Sequence, residues 1–217
     1  MALMARRLVQ LYAGLASYGL GIALQVESML GNDPWDVFHQ GLSRRFGLSI
    51  GAWIVIVGAA VMLAWIPLRQ RPGLGTISNV VLVGVFTDLF LWLLPTPGHL
   101  AARWGFLLAA IVVGGFATGC YIGAGLGPGP RDGLMTGLAA RGHSIRVVRT
   151  CIEVTVLAAG WLLGGTVGIG TILYALTIGP LAHVFLPMLA IEKPGAGDDG
   201  TPVPEPEPAD RPVTTGP

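Results

Sequence analysis

Gly-Pro-Gly-Pro-Arg-Asp-Gly-Leu-Met-Thr-Gly-Leu-Ala-Ala-Arg-Gly-His-Ser-Ile-Arg, residues 127–146, is too polar to cross a bilayer and too short to be a domain. It lies between two long apolar segments. An earlier version occupies residues 31–50: Gly-Asn-Asp-Pro-Trp-Asp-Val-Phe-His-Gln-Gly-Leu-Ser-Arg-Arg-Phe-Gly-Leu-Ser-Ile. A shift of 96 residues lays Gly31, Pro34, Asp36, Gly41 and Leu42 on Gly127, Pro130, Asp132, Gly137 and Leu138. One residue is then lost, and a shift of 95 lays Gly47, Ser49, Ile50, Gly75, Thr76, Ile77 and Gly84 on Gly142, Ser144, Ile145, Gly170, Thr171, Ile172 and Gly179. The chain is an internal duplication.

Of the 217 residues, 53% are hydrophobic and only 12% charged, with a mean hydropathy of +0.68. Soluble domains carry about 25% charged residues, so the solvent of this chain is lipid. A net charge of +1 speaks against a nucleic-acid partner. Cys120 and Cys151 stand in apolar segments and read as small buried side chains, forming neither a disulfide framework nor a metal site.

Six segments are long enough to cross a hydrocarbon core, which takes about 20 residues: 8–30, 48–67, 74–94, 104–125, 145–164 and 168–191. The first is longer than the apolar region of a cleavable signal peptide and is expected to be retained. Each copy of the repeat, about 8–95 and about 104–191, holds three spans and one short helix. Three is odd, so the second copy enters the membrane from the opposite side. The expected fold is therefore an all-α membrane protein with six transmembrane helices in two inverted three-helix repeats, each carrying a short Pro-x-Asp half-helix. Many transporters share this arrangement, with their sites near the midplane at the repeat interface. Residues 1–191 form the membrane domain. Residues 192–217, rich in Pro, Gly, Asp, Glu and Thr, read as a disordered cytoplasmic tail.

With a cytoplasmic N-terminus, Arg6, Arg7, Arg69, Arg71, Arg131, Arg141, Arg146, Arg149 and Lys193 fall inside, against Arg44, Arg45 and Arg103 outside. That excess of basic residues places both termini in the cytoplasm.

The candidate site residues are polar groups within this apolar frame. Asp33 can cap the first short helix, with Asp36 three positions on; in the second copy Gly129 takes the cap position and Asp132 the later one. Asp36 and Asp132 have two readings. They satisfy the free amides and dipole of their helix ends, or they line a shared path with a proton, a cation or a zwitterion as cargo. Arg131 either anchors at the cytoplasmic surface or holds a substrate carboxylate. Asp88 and His183 sit deep in spans at equivalent places, as packing hydrogen bonders or as a relay, since ionisable groups inside membranes mark function by default. Arg149 and Glu153, four apart on one helix face, read as a structural ion pair. His39 reads as interfacial or capping. Gly14, Gly19, Gly21, Gly114, Gly115, Gly119 and Gly123 mark close helix contacts; Trp53, Trp65, Trp92 and Trp104 read as interfacial anchors.

Pro34-Trp35-Asp36-Val37 with Gly41-Leu42, Gly75-Thr76-Ile77-x-Asn79 with Asp88, and above all 127–135 resemble the YczE/YyaS/YitT-type bacterial multi-pass membrane proteins. The likeness runs through Ser144-Ile145-Arg146, Arg149, Glu153 and Gly164-Gly165 and covers about 8–190. The YczE-like branch, without the soluble C-terminal domain of the YitT-like proteins, is the nearer. The resemblance implies a bacterial inner-membrane protein and names no substrate.

The leading expectation is a small-solute transporter or permease, working alone or as a homo-oligomer, with Asp36, Asp132, Arg131, Asp88 and His183 along its path. No Walker motif is present, so coupling would be to an ion or solute gradient. The alternative is a non-transporting scaffold or assembly partner, in which the polar residues are packing devices. No His-Glu-x-x-His, Gly-x-Ser-x-Gly or metal-ligand spacing occurs, so neither an enzyme nor a cofactor is expected.

Overall fold

Proline and glycine punctuate this chain into its elements. The computed structural model describes residues 2–191, which form eight helices and no strand: α1 (Ala2–Ser28), α2 (Pro34–Phe46), α3 (Ile50–Leu68), α4 (Leu74–Leu93), α5 (Leu100–Gly123), α6 (Pro130–Ala139), α7 (Ile145–Leu162) and α8 (Ile169–Leu189). The expected tail, and Lys193 with it, lies outside the described residues.

The two short helices start alike. Pro34 and Pro130 open them, where a missing N–H costs nothing. Asp33, in extended conformation, accepts the Asp36 N–H at 2.7 Å. Gly47 ends α2 at φ +80°, a left-handed cap that suits glycine. At 13 and 10 residues these helices reach only about 20 and 15 Å, short of the roughly 30 Å core.

Five helices are long and apolar enough to cross a membrane: α1, α3, α4, α5 and α8. The sixth expected span is α7. It has 18 residues, but Arg146, Arg149 and Glu153 lower its apolar character, so composition alone does not count it as a span.

α1 and α5 pack along each other at the centre, with α4 on α1 and α8 on α5. Glycine makes these approaches possible: a Cβ on Gly14 would stand 2.8 Å from the Cys120 Cβ, and one on Gly115 2.8 Å from the Leu181 Cβ. The short helices cross between the halves. α2 lies mainly on α7 and α6 mainly on α3. In the second contact Gly133 faces the Trp65 ring, whose indole N–H donates to the Pro130 carbonyl at 3.0 Å. One repeat away, Gly160 stands for Trp65 and Val37 for Gly133, so the large and small partners have changed sides. Trp65 is thus a core residue, 2% exposed, and no interfacial anchor. Cys120 is buried as expected, whereas Cys151 is exposed on the outside of α7.

Hydrogen bonds at the connections occur in pairs. Gly75 N–H donates to Leu126 O and Gly170 N–H to Leu30 O, both at 2.8 Å. Gly73 N–H donates to Thr76 Oγ1 and Gly168 N–H to Thr171 Oγ1, both at 3.2 Å. Gly31 and Gly127, at φ +114° and +122°, turn the chain into the two short helices. Each half therefore starts its last helix against the other half's turn.

Candidate functional site

The N-terminal ends of α2 and α6 meet inside the protein. Arg131, from the first turn of α6, lies with its guanidinium carbon 4.9 Å from the centre of the Trp35 ring. Its nitrogens stand 3.8 Å from Asp33 Oδ2 and 3.6 Å from Asp36 Oδ1. Asp36 is 1% exposed; its Oδ1 is 3.1 Å from His39 Nδ1, and its Oδ2 has no hydrogen-bond partner. Asp132 lies across from this group and accepts the Tyr121 hydroxyl at 2.5 Å.

This geometry settles which carboxylates cap. Asp33 caps α2, so Asp36 is released to face Arg131 and His39. No side chain caps α6, and Asp132 takes a tyrosine instead. Arg131 is an interior cation and no surface anchor. His39, 1% exposed, is no interfacial residue.

Burial, with the Asp36 charge adding and Arg131 opposing, raises the Asp33 carboxyl to about 6. Burial likewise raises Asp36, against the pull of Arg131. His39 is held well below its ordinary value by burial and by Arg131, so it stays neutral.

Two cavities abut on Tyr18, Trp35 and Arg131 from different sides. The larger, about 240 Å³, lies between α7 and α8 and is lined by Asp33, Asp132, Arg149, Glu153 and Tyr174 as well. The smaller, about 40 Å³, lies between α3 and α4 against Ile54, Val57, Asn79 and Val83. Arg149 donates to Glu153 at 2.8 Å, the expected pair, and it borders the larger cavity. Carboxylates and guanidinium groups of both kinds thus face one space large enough for a compact solute.

Asp88 and His183 stand apart from this cluster. Asp88 accepts the Gly51 N–H at 2.8 Å and the Ser49 hydroxyl at 2.6 Å, tying the start of α3 to α4. His183 is exposed on α8. Neither lines the central cavities.

The residues that sequence reasoning passed over are Tyr18, Tyr121 and Tyr174, polar aromatics in apolar helices, and Trp35. The repeat held a signal for the last: the 96-residue shift that pairs Asp36 with Asp132 also pairs Trp35 with Arg131.

A protein-family model described as a family of unknown function, DUF6198, matches residues 5–187. The chain belongs to this family. A relative from Haemophilus influenzae, titled only as an uncharacterized protein, is 42% identical over 81% of each chain. The Bacillus subtilis protein titled "Uncharacterized membrane protein YczE" is 38% identical over 81% of this chain and 83% of its own, and YyaS of the same organism is 30% identical over 81% and 90%. The resemblance to YczE- and YyaS-type proteins is borne out. No solved structure matches the chain. With its apolar helices and its likeness to YczE, this DUF6198 member is an integral membrane protein.

Proposed function

We propose that this protein is a small-solute transporter of the bacterial inner membrane, built as two inverted repeats with both termini in the cytoplasm. Its path runs through the interface where α2 and α6 meet. The observation that carries this reading is the Arg131–Trp35 stack, 4.9 Å from guanidinium carbon to ring centre. The two residues hold equivalent places in the repeats. Equivalent residues can touch each other only close to the axis that relates them. An axis in the membrane plane puts such a stack at the midplane, where inverted-repeat transporters bind their cargo.

The flanking cavities support the same reading. A scaffold would have a dry, filled centre; here a cavity of about 240 Å³ bordered by Asp33, Asp132 and Arg131 adjoins the stack. α7 is the sixth crossing. Its Arg149 and Glu153 pair with each other beside that cavity, and pairing is what lets such charges reside at membrane depth. The cargo is a compact solute able to meet charges of either sign, or a proton. The reading assigns the protein no chemistry of its own and needs only a single chain for its path.

The test is flux into proteoliposomes. A trapped pH-sensitive dye reports protons, and isotopically labelled amino acids and small organic cations report solutes. The reading expects one of these probes to move with wild type and to move at least about tenfold more slowly with Asp132→Asn, the loss of one differential contact of about 1.4 kcal/mol. Flux that is equal in Asp132→Asn, or in empty vesicles, would remove the reading.

A further inference from the structure

The two seams that correspond in the repeats are packed differently. α3 and α4 are in close contact, with no comparable packing between α7 and α8. In the first seam the backbones touch: a Cβ on Gly51 would stand 2.1 Å from Gly84 O, and one on Gly84 2.4 Å from Gly51 O. The Asp88 carboxylate clips that contact by accepting the Gly51 N–H and the Ser49 hydroxyl. A carboxylate is well placed there, because helix N-termini carry unsatisfied amides and a partial positive charge.

The 95-residue shift puts Arg146, Gly179, Ser144 and His183 at the corresponding places. Arg146 brings a long cation where Gly51 brings nothing, and its charge is disfavoured at a helix start. Gly179 faces open space, and Ser144 makes no side-chain cap. No clip forms. Of the cavities that reach Arg131, the one in the clipped seam is about 40 Å³ and the one in the unclipped seam about 240 Å³. Both end on Tyr18, Trp35 and Arg131. The α3–α4 seam opens at its other end, away from Asp88, in an apolar groove of about 390 Å³ among Met62, Leu63, Ile66 and Ile77.

We propose that the two seams are the two gates of the path, with the α3–α4 gate held shut by Asp88 and the α7–α8 gate open in this structure. This rests on the transport reading and its inverted repeat. Those place the Asp88 clip at the outer face and the open seam at the cytoplasmic face. Solute enters from the cytoplasmic side down to Arg131. Breaking the Asp88 clip while α7 closes on α8 at Gly179 then presents the same residues to the outside.

The test is thiol labelling of the full chain in oriented vesicles, in a Cys120→Ala, Cys151→Ala background. Val57→Cys reports the small cavity and Ala182→Cys the large one, each with a charged, impermeant methanethiosulfonate. Asp88→Ala is expected to raise outside labelling of Val57→Cys by about tenfold and to slow Ala182→Cys, as when a helix-end contact is lost. A second variant guards against misfolding of the first: Arg146→Gly with His183→Asp copies the clip into the second half. It is expected to protect Ala182→Cys by about the same factor. Unchanged labelling in both variants overturns the gates. Flux measured in the same vesicles separates the two readings. Shifted labelling without flux of any probe upholds the alternate opening of the two seams but removes transport, whereas flux with unshifted labelling removes the gates alone.

Discussion

Arg131 faces Trp35 with its guanidinium carbon 4.9 Å from the ring centre, and the same guanidinium reaches Asp36 at 3.6 Å, the neighbour of the residue it stacks on. One cation therefore closes the gap between two helix starts that come from opposite halves of the chain. Its loss leaves two buried carboxylates facing each other.

Arg131→Gln is expected to destabilise the detergent-solubilised protein by about 3 kcal/mol, the usual result of removing one partner of a buried ion pair. Arg131→Lys keeps the charge but not the planar stack and falls in between. Thermal unfolding followed by tryptophan fluorescence measures both; equal stability of all three proteins would show that the stack carries no energy.

Asp33 titrates within reach of ordinary buffers, near pH 6. Its folded value lies above its unfolded one, so the stability it contributes is fully present below about 4 and disappears as pH rises through about 6. A protonated-carboxyl infrared band that bleaches with a midpoint near 6 in wild type, and is missing in Asp33→Asn, is the expected signature. A band that survives in Asp33→Asn would assign the titration elsewhere.

Gly31 and Gly47 both have positive φ, +114° and +80°. A Cβ at Gly31 would also stand 2.5 Å from the Gly168 nitrogen, whereas nothing lies within 4 Å of one at Gly47. Gly47→Ala should therefore cost only about 1 kcal/mol of strain. Gly31→Ala should cost several times that and reduce the yield of folded protein in the membrane. Equal yields and melting points would contradict the tight turn.

Gly133→Ala drives a methyl into the Trp65 ring, 2.0 Å away. About 2 kcal/mol of destabilisation is expected from such overpacking. Adding Trp65→Leu should recover about half of it, since the two sites are in contact and their effects are not additive. A double variant as unstable as the sum of the singles would mean that the ring is not the obstacle.

The ends of the elements were legible because local chemistry sets them. Asp33 caps α2 and Pro34 opens it, as read from the residues. What was not legible is which way a residue faces. Hydropathy reports depth, so Trp65 looked like an anchor and Arg131 allowed two roles; the helix that covers each comes from the other half of the chain. Asp88 allowed a packing hydrogen bond or a relay because its partners, Ser49 and Gly51, lie 39 and 37 residues back. Cys151 and His39 exchange expectations for the same reason: the cysteine in the apolar run is exposed and the histidine on the polar helix is buried.

The crossed packing of α2 on α7 and α6 on α3 has a consequence for biogenesis. While the ribosome has delivered only the first four helices, Asp33, Asp36 and His39 have neither Arg131 nor the α7 surface to meet. The nascent chain must hold a polar helix start in or beside the translocon until the second half arrives. The two halves cannot mature one after the other. A chain stopped before Pro130 is an unfinished interior, not half a protein, and a natural target for membrane quality-control proteases.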